Sequence, residues 1–447
     1  MIDLSEHLSE IAGNDYIDSE LYNKFSVKRG LRNEDGTGVL VGLTRVGDVQ
    51  GYEVIDGKKV AVPGKLFYRG IDVAQIAASA SNNDRFCFEE IVYLLLFGKL
   101  PNQKQLDEFN SVIGNFRALP KNFAEDVIMR APSRNIMNKL ASSILALYPY
   151  DEDPENQSPE NVLRQCMELI ARFPTIAAYS YMSMKHYINR ESLVIHPADS
   201  ALSSAETLLS LIRPDKIYTK NEAQLLDLAL VLHAEHGGGN NSTFTVHVVS
   251  SADTDTFSTI AAGLGSLKGY KHGGANVKVI GMMDDIMKNV KNWENEKEVS
   301  AYLEKIIKGE AYDGAKLVYG QGHAIYTITD PRAVLLRDKA KVLAQEKDLL
   351  KEFNLYCLIE QLTPSVFKKV KGSDKDICTN VDFYSGFVYK MLGIPPELNT
   401  PIFAVSRIAG WCAHRLEEIT AGGRIIRPAY KCVQPQLEYI GINKRES

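Results

Sequence analysis

The chain reads as a mostly α-helical protein with a short β element near its amino terminus. Three observations predict this class. Apolar residues recur at helical spacing through most of the sequence, short apolar runs alternating with turn residues are confined to Gly36 through Tyr68, and no repeat or low-complexity linker interrupts the rest. Within the β region, Val39-Leu40-Val41, Tyr52-Glu53-Val54-Ile55 and Lys59-Val60-Ala61-Val62 read as strands. Asp56-Gly57 between the last two is a hairpin signal.

The helices follow in order. Arg85 to Phe97 is an apolar, aromatic-rich helix stopped by Gly98. Pro101 marks the start of the next, whose face carries Leu106, Phe109, Ile113 and Phe116. Asn221 to His233 repeats the pattern, with Asn221 as its expected N-cap. Phe257, Ile260, Ala261 and Leu264 line another helix, rich in small residues (Ala261, Ala262, Gly263, Gly265, Ser266), which suits close packing at the centre or at a subunit interface. Lys288 to Lys308 and Asp338 to Leu362 read as solvated amphipathic helices of a peripheral domain.

With 447 residues, the chain can hold two or three domains, or one large core with a smaller one inserted. Lys+Arg number 51 against 56 Asp+Glu, a net charge of −5, which gives no electrostatic reason to expect nucleic acid or an anionic membrane. The six cysteines are scattered and form no CxxC pair, so they read as reduced thiols of a cytoplasmic protein. No apolar run is long enough to span a bilayer. Met1 to Glu20 carries acids and no arginine, which argues against secretory or mitochondrial targeting.

Groups able to do chemistry cluster in five places. In Gly320-Gln321-Gly322-His323, glycines let the backbone approach a ligand, and Asp330-Pro331-Arg332 follows closely. The imidazole can donate to a carbonyl oxygen and the guanidinium can fork onto a carboxylate, a pairing suited to a small keto acid. His233-Ala234-Glu235-His236 ends a helix before Gly237-Gly238-Gly239, and a histidine there is a reasonable anion ligand. A purely structural His233 and a metal site drawn from His233, Glu235, His236 and His247 are the competing readings.

His272 stands just ahead of a helix N-terminus, where the dipole disfavours the imidazolium and leaves a neutral donor for an enolate oxygen; a plain loop residue is the alternative. Asp382 either stabilises a helix start or faces a pocket as a general base in aromatic company. Arg407, between Phe403 and Trp411, and Arg427 could complete with Arg332 a clamp for a di- or tricarboxylate.

Together these segments, in this order, resemble the citrate synthase family. Lys65-Leu66-Phe67-Tyr68-Arg69-Gly70-Ile71-Asp72 and Phe88 to Gly98 resemble its amino-terminal half, so the similarity covers about nine-tenths of the chain. The resemblance implies a helical homodimer, with a large domain (1–275 and 385–447) and a smaller one (276–384) that closes over oxaloacetate before acyl-CoA reacts. It implies Asp382 as the base that deprotonates acetyl-CoA and His272 as hydrogen-bond donor to the thioester oxygen. His323 would polarise the oxaloacetate carbonyl, and His236, Arg332 and Arg407 would hold the keto acid, with Arg427 reaching in from the partner subunit. Citrate and CoA would be the products, with no metal or other cofactor.

Two positions depart from the family's pattern. Gly237 stands where many members have glutamate, and Ala324, Tyr326 and Thr327 occupy a stretch where some carry an arginine for the CoA phosphates. 2-Methylcitrate synthase, acting on propionyl-CoA, is the nearest alternative, since one methylene is worth only ~1–3 kcal/mol in an apolar pocket. A non-catalytic metal-binding protein on the same fold is a remote one.

Overall fold

The computed structural model describes residues 15–34, 36–56, 58–323, 325–372 and 377–445. Gly57 of the expected turn, Ala324, and Met1 to Asn14 of the segment read for targeting lie outside the described residues. After a short helix α1 (Ser19–Lys24), strands β1 (Gly47–Ile55), β2 (Lys58–Tyr68) and β3 (Ile71–Asp72) form one antiparallel sheet in that order. β1 pairs with β2 from Gly47↔Tyr68 to Ile55↔Lys58, with an irregularity between Gln50 and Tyr52. Two of the three expected strand runs are therefore strands. Val39-Leu40-Val41 is not, and Leu40 is 86% exposed, so no packed face holds it in a sheet.

The helical part begins with α2 (Val73–Asn82) and α3 (Phe88–Phe97), which Gly98 ends in a left-handed conformation as expected. α3 starts later than Arg85 because its first free N–H groups are taken by a distant side chain. The Cys87 and Phe88 amides donate to the Asp227 carboxylate at 2.8 and 3.2 Å. α4 (Gln103–Phe116) opens on an Asn102/Gln105 capping box and buries Phe109 and Ile113. α5 (Ile136–Leu147), α6 (Pro159–Tyr187), α7 (Ser204–Ile212) and α8 (Lys220–His233) follow. The N-cap of α8 is Thr219 rather than Asn221: Thr219 caps the Glu222 amide, and Glu222 returns the bond.

Next come α9 (Asn241–Ser250), α10 (Thr256–Lys268), α11 (Tyr270–Gly273), α12 (Ala275–Asn289) and α13 (Glu296–Lys308). The stretch Lys288 to Lys308 is thus not one helix: α12 stops at Asn289, and Asn295 caps α13 anew. Asp338 to Leu362 divides likewise between α14 (Pro331–Glu346) and α15 (Leu350–Lys371), with Asp348 left-handed at the break. α16 (Val381–Met391) and α17 (Asn399–Ala421) complete the set. α17 is buried from Ala404 to Leu416 and packs on α3, α6, α8 and α9, so it is the axis of the core. Buried Gly263 on α10 admits Val246 and Trp411, to which a Cβ would stand 2.9 and 3.4 Å away.

Candidate active site

β2 fixes the first wall of the site. Buried Tyr68 at its end donates to the carbonyls of Val231 and Glu235 at 2.9 and 3.1 Å and accepts from the Glu235 amide at 3.2 Å. This pins the turn after α8 and turns His236 inward. The helix ends at His233, with three residues between it and the glycine run, so the two imidazoles do not share a last turn. His233 is fully buried, stacks on Phe403 at 4.4 Å, and has no hydrogen-bond partner for either ring nitrogen among the described residues. His236 lines the cavity and stands edge-on to His323 at 5.3 Å. Burial, then the neighbouring Arg332, holds both rings well below the ordinary histidine range.

The hairpin also supports the His323 loop. At Gly51 a Cβ would lie 2.5 Å from the Ile325 carbonyl, and at Gly64 only 2.2 Å from that of Thr329, so the backbones meet where no side chain fits. On its other side the loop is stitched to the start of α16. The Gly322 amide donates to Cys378 O at 2.7 Å, the Asn380 amide to Gly320 O at 2.9 Å, and the Asn380 side chain to Gly322 O at 2.9 Å. His323 Nδ1 accepts from the amides of Ile325 and Tyr326 at 3.1 and 3.0 Å. The proton of the neutral ring therefore sits on Nε2. Burial, reinforced by Arg332, pushes the ring down to about 4, so it is uncharged near neutrality.

Asp382 does not cap its helix. Asn380 does, accepting from the Asp382 amide at 3.0 Å, and the Asp382 carboxylate is left to line the cavity. Burial pushes that carboxyl up to about 6, against the pull of Arg332. Arg332 is fixed by Asp330, whose two oxygens take Nε at 3.0 Å and Nη2 at 2.7 Å. The same carboxylate caps α14 and accepts the Val381 amide at 3.2 Å, so Asp330 ties Arg332 to Asp382. Arg407 is buried in α17, donates through Nε to His233 O at 2.7 Å and lies over Phe403 at 4.7 Å. Its Nη1 has no partner among the described residues, which leaves a charged donor for an anion. Burial lowers it to about 10, still charged at neutral pH.

His272 lies in α11, just ahead of α12, as expected. Its pKa is lowered to about 4 by burial first and Arg407 second, which replaces the helix dipole as the main cause of neutrality. Nε2 meets Ser242 Oγ at 3.2 Å, and that oxygen also accepts from Trp411 Nε1 at 3.2 Å. If the Ser242 hydroxyl donates to Nε2, Nδ1 carries the proton and becomes the donor.

His236, His272, His323, Arg332, Asp382 and Arg407 thus border one cavity of about 170 Å³. Arg427 does not: it is exposed on the tail beyond α17. The metal set His233, Glu235, His236 and His247 does not converge either, because His247 points away to His414 and Glu418. Sequence reasoning missed Tyr68, Ser242, Asp330 and Asn380 as positioning residues. Only Asn380 left a signal, an N-cap residue two positions ahead of the aspartate.

The family model described as "Citrate synthase, C-terminal domain" matches residues 35–429. Curated relatives include a citrate synthase of Haloferax volcanii, 32% identical over 94% of this chain and 99% of that protein. One of Synechocystis is 32% identical over 86% of this chain and 88% of that protein. Among solved structures, a Thermoplasma acidophilum citrate synthase in ternary complex with carboxymethyl coenzyme A and oxaloacetate superposes with a TM-score of 0.75. That structure is 27% identical and covers 94% of this chain and 99% of that one.

Proposed function

The chain belongs to the citrate synthase family, and we propose that the cavity around Asp382 is where it condenses acetyl-CoA with oxaloacetate and hydrolyses the product to citrate and CoA. The observation that carries this reading is the convergence of one carboxylate, three neutral imidazoles and two guanidiniums on one small cavity. A thioester α-proton is a very weak acid, so a carboxylate removes it only if the electrons pass to an oxygen held by a fixed donor.

Asp382 takes the α-proton, and neutral His272 donates a hydrogen bond to the thioester oxygen as the enol forms. Oxaloacetate lies with its carboxylates on Arg332 and Arg407 and its neighbour His236. Its carbonyl oxygen faces His323, whose Nε2–H polarises it and then protonates the new alkoxide. Water next cleaves the citryl thioester and releases CoA. Losing one fixed donor of this kind typically costs ~10²–10³ in rate. Every proton move uses side chains of the chain itself, and no metal or cofactor takes part beyond the CoA thioester that is the substrate.

Residues 276–384 would act as the smaller domain that closes over the bound keto acid, excluding water until the carbon–carbon bond exists. A homodimer with Arg427 supplied from the partner subunit fits the tail beyond α17, where Ile425, Tyr430, Leu437 and Tyr439 are all more than half exposed and await cover. A cytoplasmic setting fits the free cysteines. Among the described residues, no helix is long and apolar enough to cross a membrane.

A free-thiol assay with oxaloacetate plus acetyl-CoA or propionyl-CoA tests the reading. Release with acetyl-CoA, at higher kcat/KM than with propionyl-CoA, is expected. Release with neither thioester would overturn it.

A further inference from the structure

Behind the cavity, a second cluster of imidazoles and carboxylates is closed at its ends and open in its middle. His247 on α9 and His414 on α17 meet Nε2 to Nδ1 at 3.0 Å. The far nitrogen of each ring is held by a carboxylate, His247 Nδ1 by Glu418 at 2.9 Å and His414 Nε2 by Glu235 at 3.0 Å. A carboxylate only accepts, so in the neutral rings these outer nitrogens carry the protons. The two inner nitrogens then face each other as lone pairs. A third lone pair comes from Glu417, whose Oε2 lies 3.8 Å from His414 Nδ1. That oxygen is buried and has no hydrogen-bond partner among the described residues, while Oε1 accepts the Arg45 amide at 2.6 Å.

Three converging lone pairs call for an electrophile. A shared proton would satisfy the two nitrogens and leave Glu417 Oε2 without a partner, whereas a divalent cation satisfies all three. Ligands ~2.0–2.1 Å from a tetrahedral zinc stand ~3.3 Å apart; His414 Nδ1 lies 3.0 Å from His247 Nε2 and 3.8 Å from Glu417 Oε2, and all three atoms lie within 4.8 Å of one another, so a small shift of the Glu417 side chain would complete the set. Carboxylates on the far nitrogens are the outer support that metal-bound histidines usually have. The local charge agrees, with Glu235, Glu417 and Glu418 set against the Arg69 guanidinium, which feels the first two. Gly238 leaves the space open: a Cβ there would stand 3.5 Å from His247 Nε2 and 3.6 Å from His414 Cε1.

We propose that His247, His414 and Glu417 form a structural site for a zinc-class divalent metal. It would clamp α9 to α17 and, through Glu235, brace the turn that carries His236. The condensation itself does not pass through it.

Protein prepared without an affinity tag, stripped with a chelator and titrated with zinc or cobalt(II), tests the proposal. The expected results are stoichiometric uptake per chain, the visible bands of tetrahedral cobalt, and a zinc-dependent rise in Tm. His247→Gln and Glu417→Gln should lose all three, whereas Glu418→Gln should keep the site with ~10–100-fold weaker affinity. Circular dichroism of the stripped proteins verifies that each variant is folded. Wild-type protein that takes up no stoichiometric metal overturns the proposal, and so does a folded His247→Gln/Glu417→Gln variant that binds as tightly as wild type.

Discussion

Two pairs of histidines, half-buried except for fully buried His414, sit on either side of the turn after α8, and the charges around them differ in sign. His272 and His323 border a cavity in which the largest charge effects on them come from Arg407 and Arg332 respectively, and each is pushed down to about 4 with burial as the leading cause. His247 and His414 are bracketed by Glu418 and Glu235. The first environment keeps imidazoles neutral, the state the proposed mechanism needs for donating to a developing oxyanion. The second gathers negative charge and favours a cation. The side chain is the same in both, and the neighbours decide what it does.

The comparison breaks most visibly at Asp382, the carboxylate on the guanidinium side. Asp382→Asn should lower kcat by ~10²–10⁴ or more while leaving oxaloacetate affinity by calorimetry nearly unchanged. A parallel loss of binding would make the residue structural. His272→Gln comes next, with an expected loss of ~10²–10³ in kcat and little change in KM for oxaloacetate. If the neutral ring were only a loop residue, kcat would hardly move.

Arg407→Lys sharpens the electrostatic half of the comparison. An ammonium cannot reproduce the guanidinium fork, so KM for oxaloacetate should rise by ~10–100-fold, and an unchanged KM would contradict the assignment. A smaller effect concerns pH. The base must be ionised, and burial sets the Asp382 carboxyl at about 6, so kcat/KM should fall as pH drops through that value. A profile flat to pH 5 would place the base elsewhere.

The same shift carries a stability sign. A carboxyl whose folded pKa is raised costs stability progressively as pH rises from its ordinary value of 3.8, and the cost is complete above about 6. Asp382→Asn should therefore raise Tm most at pH 8, less at pH 5, and hardly at all below the ordinary carboxyl value of 3.8. A lower Tm at pH 8 would mean the carboxylate is stabilising where it sits.

Much of the helical fold was legible because helix faces write themselves at fixed spacing, as Phe257, Ile260 and Leu264 show by being buried on α10. Boundaries were less legible. The start of α3 depends on Asp227, far away in sequence, and the break between α14 and α15 on a left-handed Asp348 inside an otherwise helical pattern. The cavity residues could be named because glycine, histidine and arginine stand in unusual local patterns. Their supports could not. Nothing around Tyr68 or Asp330 announces that one pins a distant turn and the other joins Arg332 to α16. Gly51 and Gly64 look like ordinary strand glycines until the His323 loop lies against them. Contacts across long sequence separations leave no periodic trace in one sequence.

Exchange of the acetyl-CoA methyl protons in D₂O, followed by proton NMR with an oxaloacetate analogue lacking the electrophilic carbonyl, isolates the step assigned to Asp382 and His272. Wild-type protein should exchange them, His323→Gln should still do so, and Asp382→Asn should not, although it binds the analogue. Exchange by Asp382→Asn at the wild-type rate would contradict the account.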